Sequence, residues 1–140
     1  MEWRQGEYSI STERERLDLD VVHRFLSEEA YWSPGRPREI VERSIENSLC
    51  FGLYRGAEQV GFARAVTDRA TIAYLADVFV LREHRGRGLG VWLVETVFSH
   101  PDLAGLRLFL GTADAHSLYE RYGFRPADPA RLMERRAPDP

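Results

Sequence analysis

With 140 residues, 44% of them apolar, the chain can build one sizeable core and is expected to be a single domain over 1–140. No apolar run approaches the roughly 18 residues of a membrane span, and the start, Met1 to Gln5, lacks the basic-then-apolar shape of a signal peptide, so a cytoplasmic protein with no membrane partner is expected. The net charge of -3 is spread over intermixed acids and arginines, which argues against a nucleic-acid groove, and the lone Cys50, between Leu49 and Phe51, excludes an internal disulfide or thiolate cluster and reads as a buried thiol.

Tyr8–Ser11 is expected as a short first strand. A helix fits 19–30, with Val21, Val22, Phe25, Leu26 and Ala30 on one side and Asp18 or Asp20 as cap; Pro34 and Gly35 follow its end. Pro37 at a first-turn position starts a second helix through about Glu46, with Ile40, Val41, Ser44 and Ile45 inward. Two apolar-rich runs, 49–54 and 59–67, flank Arg55, Gly56, Ala57 and Glu58, a hairpin signal. A turn at Asp68 leads into a fourth strand over 71–81, interrupted only by Asp77. Leu89, Trp92, Leu93, Thr96 and Val97 recur at helical spacing; a fifth strand follows at 107–112, then a short helix at 115–122 that ends at Gly123. Phe124 opens a last extended segment predicted to run through Leu132 to Glu134. Strand, helix, strand around the glycines at 86–90 implies a right-handed parallel crossover beside an antiparallel meander, an α+β fold on a mixed sheet.

Between the fourth strand and its helix stand Arg85, Gly86, Arg87, Gly88, Leu89 and Gly90. A helix start leaves its first N–H groups unpaired and carries partial positive charge, so an anion fits there. Alternating glycines let the backbone turn and approach a ligand, and the arginines add charge. A Walker A loop needs Gly-Lys-Ser/Thr, and the chain has no lysine; a dinucleotide fingerprint needs G-x-G-x-x-G, and the spacing here is G-x-G-x-G. A surface Arg/Gly turn is the plain alternative.

The loop matches Q/R-x-x-G-x-G/A at Arg85, Gly88 and Gly90, and Leu118, Tyr119, Gly123 and Phe124 match L-Y-x-x-x-G-F. In this order the two segments closely resemble the GNAT superfamily of acyl-CoA-dependent N-acetyltransferases, over roughly 49–124, and that family's fold also accounts for the two leading helices. The resemblance implies a central mixed, mostly antiparallel twisted sheet with flanking helices, its parallel fourth and fifth strands splayed to admit acetyl-CoA. It implies that Phe79, Val80 and Leu81 pair with the pantetheine arm, and that residues 85–90 hold the pyrophosphate. Thr112 stands where many members carry asparagine, seven residues before Tyr119, and with His116 is carried over as a cofactor neighbour.

The resemblance also puts Tyr119 near the cofactor sulfur, where a phenol can protonate the departing thiolate; core packing is the other reading of this side chain. Asp77 is the candidate base because a carboxylate inside an apolar strand needs solvent, a partner or a task, and partial burial would raise its pKa. Strand alternation sends Leu75, Asp77 and Phe79 to one face and Tyr74, Ala76, Val78 and Val80 to the other. Pairing with an arginine is the structural alternative for Asp77, and His116 is a rival base. His23, His84 and His100 form no metal spacing, so no metal is expected. The family's acceptor site borrows from the loop between its first two helices, which nominates Tyr31, Trp32 and Arg36, with Tyr74 from the strand. The expected function is transfer of acetyl from acetyl-CoA to a primary amine, of a small molecule, by direct attack in a ternary complex. A non-catalytic acyl-CoA-binding regulatory module fits the same motifs. Family members often pair through a sheet edge or C-terminal strand, which makes Arg131 to Glu134 a candidate homodimer contact.

Overall fold

A computed structural model describes residues 1–138. Its framework is one six-stranded sheet in sequential order: β1 (Glu2–Gln5), β2 (Tyr8–Ser11), β3 (Leu49–Arg55), β4 (Glu58–Thr67), β5 (Ile72–Val80) and β6 (Arg107–Leu110). Neighbours from β1 to β5 are antiparallel; β5 and β6 are parallel, so the mixed sheet expected from the element order is present. Tyr8–Ser11 is the second strand, not the first. Gly6, at φ +60, reverses the chain, and Glu2–Gln5 pairs with it as an added edge. The parallel pair expected as strands four and five is therefore β5 and β6.

Two layers cover the sheet. On one face lie α1 (Leu19–Arg24), continued by a wider π turn at Phe25–Glu29, and α2 (Arg38–Glu46). Asp18 caps α1, its carboxylate accepting from the N–H groups of Asp20 at 3.0 Å and Val21 at 3.3 Å. Val22, Phe25, Leu26, Val41 and Ile45 from this layer pack on Cys50, Phe62 and Phe79 of the sheet. Ile40, expected inward, is 39% exposed. A nine-residue helix touching one neighbour layer buries only the narrow stripe of Val41 and Ile45. The opposite face holds α3 (Leu89–Ser99), whose Leu89, Leu93, Val94 and Val97 join Phe51, Leu53, Val60, Ala73 and Leu75. A short α4 (His116–Glu120) adds Tyr119 to that core.

Hairpin chemistry follows the expectation. Gly56, at φ +61, turns β3 into β4, with Arg55 opposite Glu58. At the next turn the Asp68 carboxylate accepts from the N–H groups of Ala70 at 2.9 Å and Thr71 at 2.8 Å, and these bonds with the Thr71 hydroxyl hold its pKa well below the ordinary carboxylate value.

Beyond Phe124 the expected extended strand is not formed: residues 124–134 join no sheet among the described residues, and Met133 is 91% exposed. Pro126 and Pro129 lack ladder donors, and Asp128 turns the chain on itself, its carbonyl accepting from the N–H groups of Arg131 and Leu132 at 3.0 Å each. Arg131 to Glu134, expected as a dimer contact, therefore forms no strand within the chain.

Candidate active site

β5 departs from strict alternation at Asp77, whose φ is +53, a left-handed angle that costs a non-glycine residue about 1 kcal/mol or more. Opposite it the β4 register slips between Phe62 and Arg64, the signature of a β-bulge. The extra residue reverses which side chains face which layer. Ala73 and Leu75 enter the α3-side core, whereas Phe79 stacks on Phe25 of the α1 side with centroids 4.0 Å apart. Alternation had put Leu75, Asp77 and Phe79 on one face; the bulge separates Leu75 from the other two and leaves Tyr74 on the same side as Asp77.

Past the bulge, β5 loses its parallel partner. Its pairing with β6 runs from Ile72 opposite Arg107 to Leu75 opposite Leu110, and there it stops. The N–H of Leu81 donates to the Val60 carbonyl of β4 at 2.8 Å, so by alternation the main-chain groups of Val78 and Val80 turn to the open edge. A cavity of about 560 Å³ occupies this wedge, lined by Val78, Val80, the turn residues His84 to Gly86 and Gly88 to Gly90, Val91 and Val94 of α3, and Ala115, Leu118 and Tyr119 across the gap.

The glycines of this turn act in different ways. Gly86 at φ +79 and Gly88 at φ +77 occupy the left-handed region, with nothing near an added Cβ, so backbone angle is what requires glycine there. Gly90 has no such angle; a Cβ on it would stand 4.0 Å from Val80 Cγ2, at the cavity wall. Gly88 caps α3, leaving the first N–H groups of that helix without intrahelical acceptors. Arg85 folds back, its Nε donating to the Val80 carbonyl at 2.8 Å.

Of the residues nominated for the cofactor, Val80, Arg85, Gly86, Gly88, Leu89, Gly90 and Tyr119 line the cavity, while Phe79, Leu81, Arg87, Thr112 and His116 do not. The Phe79 ring is buried in the opposite core, and the Leu81 N–H donates to the Val60 carbonyl of β4. Thr112 serves the local turn, its hydroxyl accepting from the Ala115 N–H at 3.0 Å, and His116 is exposed at the start of α4. Val78, His84 and Val94 were not foreseen; the parity change at Asp77, invisible to simple alternation, is what turns Val78 to this side. Tyr119 is buried, and burial raises its pKa above the ordinary phenol value, so it stays protonated at neutral pH.

Asp77 sits in a different setting. Its side chain is 2% exposed and accepts three bonds: from Trp32 Nε1 at 3.0 Å, Arg36 Nη1 at 2.9 Å and Arg64 Nε at 2.9 Å. Burial alone would raise its pKa, but the charges of Arg64 and Arg36 and the Trp32 bond outweigh that, and the net displacement is downward. The expectation that burial would tune Asp77 upward is therefore corrected. Trp32 and Arg36 are brought to the strand as proposed for the helix-connecting loop; Tyr31 meets Trp32 edge-on at 5.1 Å but stays solvent-exposed, as does Tyr74. Arg64, which the sequence reading did not nominate, links this cluster to Ser48 through Nη1 at 3.1 Å. Cys50 is buried, and burial pushes its thiol up to about 12, which suits packing rather than attack. Among the described residues no group of histidines, cysteines and acids could hold a metal, and no helix is long and apolar enough to cross a membrane.

A parted parallel pair with a glycine turn at its mouth defines an acyltransferase-like architecture, and comparison with known proteins agrees. Residues 46–126 match the model of the acetyltransferase (GNAT) domain, and the chain belongs to the GNAT acetyltransferase family. A candidate acetyltransferase of Gibberella zeae is 34% identical over 112 residues, spanning 66% of this chain and 63% of its own length. The chain thus spans less than two thirds of that curated relative. The crystal structure of a GNAT-family protein from Xanthomonas campestris, itself named as a candidate acetyltransferase, superposes with a TM-score of 0.91 at 50% identity, covering 96% of both chains. A GNAT-family acetyltransferase from Elizabethkingia anophelis, with acetyl-CoA bound, shares the fold at a TM-score of 0.65 and 16% identity, over 89% of this chain and 80% of that one.

Proposed function

We propose that this acetyltransferase takes its acyl group from acetyl-CoA and delivers it to the primary amine of a small molecule, by direct attack within a ternary complex. The observation that carries the reading is the parting of β5 and β6 above Leu75 and Leu110, with the glycine turn and Tyr119 on opposite sides of one cavity. The residues suit the donor. Gly86 and Gly88 leave the turn clear of side chains, the first N–H groups of α3 and the guanidinium of Arg85 suit pyrophosphate, and the open edge at Val78 and Val80 suits an amide-bearing arm. The neighbour from Elizabethkingia anophelis, which holds acetyl-CoA, supports acetyl-CoA as the donor.

When bound, acetyl-CoA supplies an activated thioester, whose acyl carbon exchanges its bond to sulfur for one to the amine nitrogen. Tyr119 is the proposed acid: its O–H supplies the proton that the departing thiolate takes up. Asp77 is assigned a supporting role, because a carboxylate that already accepts three bonds, with a lowered pKa, is a weak base. It holds Trp32 and Arg36 against the sheet, where with Tyr31 and Tyr74 they border the acceptor side. The amine gives up its proton to water, and the Tyr119 phenolate regains one from water to close the cycle. A screen of amines for CoA release, with acetyl-CoA and longer acyl-CoAs, tests donor and acceptor together. Acceptor-dependent release with acetyl-CoA is expected. Tight acetyl-CoA binding without release for any amine would instead favour a non-catalytic acyl-CoA-binding module.

A further inference from the structure

A buried polar contact beneath the phosphate turn is used by neither the glycine motif nor the mechanism above. Tyr8, at the start of β2, lies 76 positions before His84, yet its hydroxyl is 2.9 Å from His84 Nδ1, and the two rings meet edge-on with centroids 5.8 Å apart. Both side chains belong to residues only 8% exposed. Arg87, on the turn itself, reaches the same hydroxyl through Nη1 at 3.3 Å. His84 also lines the cavity.

The chemistry of the three groups assigns the donors. A guanidinium can only donate, so Tyr8 Oη accepts from Arg87. The phenolic proton is then free for the other side, and the arginine charge, by polarising the hydroxyl, makes it the better donor. His84 Nδ1 accepts that proton, and in the neutral ring the imidazole proton then sits on Nε2. We propose that Tyr8 is a positioning residue for phosphate recognition: it fixes His84 as the Nε2–H tautomer and tethers Arg87, so that two donors from the turn are held ready for the phosphate oxygens of the acyl donor. The inference rests on the acetyl-CoA reading above. Arginine loses considerable side-chain freedom when it is immobilised by a ligand, and a tether made before binding lowers that cost.

Calorimetric titration of acetyl-CoA into the wild type, Tyr8→Phe, Arg87→Ala and the double variant tests the coupling. Tyr8→Phe is expected to weaken binding about three- to tenfold, the order expected when one hydrogen bond that preorganises the site is lost, and to cost distinctly less when Arg87 is already alanine. Nitrogen NMR of the wild-type imidazoles is expected to show His84 as the Nε2–H tautomer, a readout that needs no variant to fold, and Tyr8→Phe should give a mixture. An Nδ1–H tautomer in the wild type would overturn the proposal. So would equal losses from Tyr8→Phe with and without Arg87, or a lowered melting temperature with unchanged affinity. A wild type that binds no acetyl-CoA would remove the donor reading itself, and the positioning role with it.

Discussion

On the proposed donor side the turn from Arg85 to Gly90 offers mainly main-chain groups, keeps its arginines near the surface and leaves a strand edge unpaired. On the proposed acceptor side Asp77 draws Trp32 and Arg36 of the helix-connecting loop and Arg64 of β4 into one partly buried ion-pair cluster. The difference shows two ways of building a site wall. The first leaves capacity open for a ligand's charge; the second consumes its own charges to fix a loop on a strand.

The largest expected effect comes from breaking the closed cluster. Asp77→Asn should destabilise the fold by roughly 3 kcal/mol, because two partly buried guanidinium groups lose their counter-charge, and should lower Tm by about 10 °C in a thermal melt. The pH dependence has a definite sign. The folded-state pKa of Asp77 lies below its ordinary value of 3.8, so its stabilisation is complete above that value and is lost as pH falls through the folded pKa. The melts of the wild type and Asp77→Asn should therefore converge toward strongly acidic pH. Turnover per folded molecule should stay within about tenfold of the wild type, whereas loss of a true general base costs roughly 100-fold or more; a loss of that size with an unchanged melt would dissolve the contrast between the walls.

Tyr119→Phe probes the open wall's chemistry. About a 100-fold drop in kcat is expected, with acetyl-CoA affinity and melting temperature nearly unchanged, as for removal of a general acid. A kcat near that of the wild type would return Tyr119 to a packing role.

Smaller effects separate the two glycines. Gly88→Ala places a Cβ at φ +77 and should cost about 1 kcal/mol in stability as well as several-fold in acetyl-CoA affinity. Gly90→Ala meets only Val80 Cγ2 at 4.0 Å within the protein, so it should leave the melt unaltered and weaken binding alone. Equal behaviour of the two variants in both measurements would contradict the division between angle and clearance. Arg85→Ala, which removes both a guanidinium charge and the anchor to the Val80 carbonyl, should weaken acetyl-CoA binding several-fold, the loss shrinking at high salt if charge dominates. A loss independent of salt would assign the side chain to holding the turn.

Much of the proposed donor wall was legible in the chain itself because its chemistry is local. Gly86, Gly88 and Gly90 between a strand and a helix constrain the backbone over six residues, and the order of elements around them implied the parallel crossover that β5, α3 and β6 form. The hairpin at Gly56, the cap at Asp18 and the buried character of Cys50 were likewise matters of neighbours in sequence. The C-terminal segment misled, since Leu132 and Met133 resemble a strand only while the turn made by Asp128 and the donor gaps at Pro126 and Pro129 are ignored.

The fate of Asp77 was decided by tertiary structure. Alternation assumes one residue per pleat, and the bulge breaks that rule through a register slip with β4, which no local pattern in β5 announces. Its pKa depends on Arg36, 41 positions away, and Arg64, 13 positions away, so the balance between burial and pairing exists only once the helices lie on the sheet. The same holds for Tyr8 and His84, which are remote in the chain and meet only in the folded molecule. Backbone freedom is written residue by residue, while the charge state of a buried side chain belongs to everything packed around it.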